Sequence, residues 1–154
     1  MVVASGRDAV YRALTRFYWR QDALVSSAAV VSVLLTWLLV GALRAHVTSE
    51  FLQGMFDPVA VRVFWIAAAG YAFFSLGLMN VLLLLSLSRI GRALRVMSIG
   101  LAVNVGVGFV LSRAVDYSWA AGGLLAGAAV FAVLSVLETD AVFRRIDFFF
   151  YAAY

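Results

Sequence analysis

The sequence predicts an all-α integral membrane protein of four transmembrane helices with interfacial helices at both termini. Three observations carry this. Of 154 residues, 65% are hydrophobic and 13% charged, about half the charge of an ordinary soluble domain. The charges are also segregated: residues 24–43, 63–88, 96–112 and 117–137 contain no Asp, Glu, His, Lys or Arg. A helix rises about 1.5 Å per residue, so such runs of about 20 residues cross roughly 30 Å of hydrocarbon. Finally, each pair of runs is separated by a recognisable boundary: Asp57-Pro58, a basic link at 88–95, and Asp116-Tyr117.

Residues 1–22 form a basic amphipathic segment, with Arg12, Arg16 and Arg20 at i, i+4 spacing and Val10, Leu14, Phe17 and Tyr18 at three- and four-residue steps. It is expected in the interface, arginines among headgroups and aromatics below them. The first apolar run starts near Ala23, too late for the h-region of a cleavable signal. It opens a four-helix bundle spanning residues 23–138. Ala28, Ser32 and Thr36 make a small, hydroxylated stripe suited to close approach of another helix. Trp37 stands near the far end, at the level of an aromatic belt.

In the connection at 44–57, Phe51, Leu52, Met55 and Phe56 read as a short interfacial helix. His46 reads as a loop residue, since no second ligand stands at metal-binding spacing. Asp57 is expected to cap the second span, with Pro58 in its first turn. On that span Gly70, Phe74, Gly77, Asn80 and Leu84 share a face, and on the third Gly100, Asn104 and Gly108 recur every four residues. Asn80 and Asn104 are the only strongly polar groups in the spans. An amide in hydrocarbon needs a partner, so they either bond each other or neighbouring helices, or line a polar cavity. The link Ser88-Arg89-Ile90-Gly91-Arg92-Ala93-Leu94-Arg95 reads as a tight turn at one membrane face. Asp116 or Ser118 caps the fourth span, where Gly123 and Gly127 stand at GxxxG spacing on a close-packed face. Residues 139–154, rich in aromatics and carrying Arg144 and Arg145, read as an interfacial tail.

Nine arginines fall on the side of the termini and the central link, against Arg44, Arg62 and Arg113 on the other. This bias places both termini and the link in the cytoplasm. The net charge of +4 sits beside apolar spans, so its partner is anionic lipid headgroups rather than nucleic acid. There is no cysteine, hence no disulfide or thiolate metal site, and no cofactor or metal is expected. An intramembrane enzyme is not expected, because the spans hold no acid, base or metal ligand within mutual reach. Ion coupling usually needs intramembrane carboxylates or unwound helices, so any coupling group is expected in other helices.

The run GYAFFSLGLMN from Gly70 to Asn80, the arginine-bearing link, the Asn104 helix with Gly106, and YSWAAGGLLAG from Tyr117 to Gly127 together resemble the closing helices of polysaccharide flippases of the multidrug/oligosaccharidyl-lipid/polysaccharide superfamily. The membrane subunit of the Pel exopolysaccharide system is similar in its last four helices and aromatic tail. The resemblance covers residues 10–150 and implies the C-terminal four-helix portion of an exporter in the bacterial inner membrane, working with further helices from the same gene or a separate chain. It implies a saccharide or polyprenyl-phosphate carrier as substrate, with Asn80 and Asn104 along the path and Arg89, Arg92 and Arg95 at the phosphate. The same arginines also serve as a topology signal. The alternative is a small four-helix anchor or assembly subunit for a partner such as a glycosyltransferase.

Overall fold

The computed structural model describes residues 2–46 and 57–144. Among these residues the chain is helical throughout, without a strand: α1 is Val2–His46, α2 Pro58–Ser86, α3 Ile90–Ala114 and α4 Ala120–Phe143, with a 3₁₀ turn at Tyr117–Trp119 leading into α4. Among the described residues four stretches are long and apolar enough to cross a membrane: Thr15–Ala42, Pro58–Ser86, Ile90–Ala114 and Tyr117–Phe143.

The packed unit is α2, α3 and α4, with α4 against both of the others. Val81, Leu84, Ala93, Val96, Phe131 and Val142 form its buried apolar cluster. Glycines set the closeness of approach. A Cβ placed on Gly123 would stand 2.5 Å from the Asn104 carbonyl oxygen and from the Gly108 Cα, and one on Gly127 2.7 Å from the Gly100 carbonyl oxygen. Gly77 faces the Phe131 ring, and Gly70 lies against Leu124 and Leu125. Within lipid, apolar side chains gain little by leaving their surroundings, so helices associate through such close van der Waals contact.

The link between α2 and α3 is shorter than the 88–95 turn expected. Only residues 87–89 are non-helical, and Gly91 to Arg95 belong to the first turns of α3. Ser88 has φ 58; its N–H donates to the Leu85 carbonyl at 2.9 Å and the Arg89 N–H to the Leu84 carbonyl at 2.8 Å. These are the two bonds of a Schellman C-cap, with serine in the left-handed position that glycine usually fills. At the start of α2 a second correction is needed: Asp57 holds the N-cap position, but its side chain makes no capping bond. Asp116 does cap, accepting from the Tyr117 N–H at 2.7 Å and the Ser118 hydroxyl at 3.0 Å.

The backbone shows no break at 22/23, where the interfacial segment was separated from the first span, because α1 is one helix to His46. His46 is therefore the last residue of a helix rather than part of a loop; no proline occurs in α1, and α1 continues through Gly41. Likewise α4 continues past 138/139 to Phe143. The short helix expected at Phe51 to Phe56 and most of the aromatic tail, residues 145–154, lie outside the described residues.

Helix α1 meets the packed unit mainly through α2. At one end Tyr18 reaches Asn80. At the other Trp37 stacks near Phe64 and Trp65, ring centres 5.7 and 4.8 Å away. Between these points Val30, Val31, Leu34 and Leu35 are at least half exposed.

Candidate functional site

Continuous helix through residue 22 has a local consequence. Thr15, Tyr18 and Asp22, three and four residues apart, share one face of α1. The Tyr18 hydroxyl donates to Asn80 Oδ1 at 2.6 Å, and the Asn80 amide donates to the Leu76 carbonyl at 2.9 Å. Tyr18 is 6% exposed and Asn80 fully buried. The Tyr18 ring also meets Phe143 edge-on, centres 5.7 Å apart, so one side chain ties α1 to both α2 and α4. Near this junction α4 carries Ser135 and Thr139, both buried. The Ser135 hydroxyl donates to the Ala132 carbonyl at 2.8 Å, whereas Thr139 Oγ1 has no hydrogen-bond partner.

The two asparagines do not meet. Asn104 stands on α3 against Gly127, lining an apolar groove of about 400 Å³ with Phe74, Leu78, Met97, Leu101 and Phe131. Asn80 belongs to the Tyr18 junction, with its amide engaged on both sides. Of the link arginines, Arg92 Nη1 donates to Glu138 Oε2 at 2.9 Å and ties the start of α3 to α4. Arg95 is exposed, and Arg89 ends the turn. The packing glycines Gly70, Gly77, Gly100, Gly108, Gly123 and Gly127 all have atoms of a neighbouring helix within 4 Å of an added Cβ, while Gly41, Gly91 and Gly106 have none.

No family model, curated protein or solved structure matches this chain.

Three members of the junction were absent from the sequence reading: Tyr18 as a buried partner, Asp22 and Thr139. A usable signal was present, since Thr15, Tyr18 and Asp22 repeat the i, i+3, i+7 pattern of a single face. Asp22 lies in the same continuous helix as the uncharged run 24–43, two residues before that run and after Arg16 and Arg20. No group of three or more His, Cys, Asp or Glu gathers as a metal site among the described residues.

Proposed function

We propose that this chain is a multi-pass component of the bacterial cytoplasmic membrane that works within a larger helical assembly, and that the assembly moves a polymeric or lipid-linked saccharide. Incomplete packing carries the first half. Besides the groove at Asn104, a second opening of about 260 Å³ lies between α1 and α2, lined by Ser32, Val33, Thr36, Phe64, Ala67 and Tyr71. Both are open grooves on the helix surface, and further helices packed against them would fill both. The saccharide rests on the resemblance of residues 70–80, the basic link, the Asn104 helix and residues 117–127. With Arg92 engaged by Glu138, Arg95 is the link residue best placed to meet a carrier phosphate.

A second reading is favoured by one contact. Asn80 is closed off by Tyr18, which suits a structural four-helix anchor for a partner such as a glycosyltransferase better than a wall of a hydrated path.

Reporter fusions after Gly91 and Tyr154 should give cytoplasmic signals, and fusions near Gln53 and Asp116 external ones; an external signal at Gly91 would overturn the four-span topology. Deleting the gene then separates the functions. Lost saccharide export with glycosyltransferase still on the membrane supports the exporter, and release of the transferase supports the anchor.

A further inference from the structure

The described buried side-chain oxygens that lack a hydrogen-bond partner are Thr15 Oγ1, Asp22 Oδ1 and Thr139 Oγ1, and they bracket the Tyr18–Asn80 junction. On α1 the strip Thr15, Tyr18, Asp22 covers two turns, about 10 Å along the axis. Its middle member is bonded to Asn80 of α2. Helices α2 and α4 run side by side with Gly70 at Leu124 and Gly77 at Phe131, a stagger that sets Asn80 level with Leu134 and Ser135. Thr139, 1% exposed, is then about one turn closer to the end bearing the Arg92–Glu138 and Arg144–Asp140 pairs. Polar groups thus lead from the arginine-rich end inward to a carboxyl group, beyond which residues 23–43 carry no charge.

We propose that Asp22 is a proton-binding carboxyl group within the membrane, loaded from the arginine-rich end past Tyr18. This rests on the reading of the helices as membrane spans and not on the saccharide. Asp22 is half-buried, with Oδ1 buried and without a hydrogen-bond partner; such an oxygen is costly where lipid replaces water, which makes an ionisable side chain there a functional site by default. A metal ion is the poorer fit. Hard cations gather about six oxygens within roughly 2.6 Å, whereas Thr15 lies two turns from Asp22 and Asn80 Oδ1 already accepts from Tyr18. A proton needs one lone pair. In loading, hydronium transfers a proton to an Asp22 carboxylate oxygen, leaving carboxylic acid and water; release is the reverse, with no redox change. The charged and titratable groups on the elements that meet here are Arg16, Tyr18 and Arg20 on α1, and on α4 Glu138, paired with Arg92, and Asp140, paired with Arg144. Tyr18 is a positioning residue at the entrance.

The test labels the full chain in phosphatidylcholine/phosphatidylglycerol vesicles with dicyclohexylcarbodiimide, an apolar reagent that attacks protonated carboxyl groups, over a pH series with adducts mapped by mass spectrometry. The expected result is an adduct at Asp22 that increases as pH falls, several-fold above Glu138 and Asp140, with a water-soluble carbodiimide leaving Asp22 unmodified. Tyr18→Phe keeps the ring and should shift the pH profile; an unchanged profile overturns the loading route. No adduct at Asp22, or equal modification by the water-soluble reagent, overturns the proposal while the spans stand. Loss of the chain from carbonate-washed membranes overturns the span reading and this proposal together.

Discussion

Tyr18→Phe removes one hydroxyl and leaves Asn80 Oδ1 without its 2.6 Å donor at a position with 0% exposure. Stranding a buried acceptor costs about 1–3 kcal/mol in soluble proteins. Between membrane helices the measured average is about 0.6 and the maximum about 1.7 kcal/mol, because the unfolded chain in lipid also finds partners. With both groups buried and a short bond, about 1 kcal/mol is expected. Asn80→Leu should cost about 1–2 kcal/mol, since it strands the Tyr18 hydroxyl and gives up the bond to the Leu76 carbonyl. The double variant leaves neither group unpaired and should recover about 1 kcal/mol of the summed losses. Reversible unfolding in mixed micelles, run as a double-mutant cycle, measures this. Additivity within about 0.5 kcal/mol would refute the bond as an energetic link between α1 and α2. Asn104→Leu should instead add to Asn80→Leu without coupling, because Asn104 faces Gly127 on α4.

Gly123→Ala should lose at least about 2 kcal/mol by the same unfolding measurement, because its methyl would stand 2.5 Å from α3 backbone that cannot move without parting the helices. Gly106→Ala, with open space around it, should be neutral or gain up to about 1 kcal/mol from helix propensity; equal losses at the two sites would contradict the packing. Ser88→Gly should raise stability by about 0.5–1 kcal/mol, since φ 58 at Ser88 penalises a side chain, and a loss would mean that the left-handed cap is not kept.

The number of candidate spans was legible from the sequence because charge is incompatible with hydrocarbon and the backbone's own hydrogen bonds then require a helix. Runs such as 63–88 and 117–137 therefore announce themselves without any partner. Glycines spaced by four similarly mark a face, because helix geometry alone aligns them. What a face meets is a different matter. Asn80 bonds a tyrosine 62 residues away, and Arg92 a glutamate 46 residues away; no spacing rule reaches across separate helices, so the need of Asn80 for a partner is legible in the sequence while the identity of that partner is not. Glycine is also a poor guide at the link, where Gly91 lies within α3 while Ser88 adopts the left-handed conformation. Asp22 shows the same limit. The last charge before the first apolar run stands at Asp22, but helix α1 runs on through that position and, with Tyr18 anchored on Asn80, holds Asp22 Oδ1 buried without a hydrogen-bond partner. Sequence determined which segments are apolar enough to enter a membrane; the packing of α1 on α2 decided that Tyr18 closes on Asn80 and that Asp22 Oδ1 is buried without a hydrogen-bond partner.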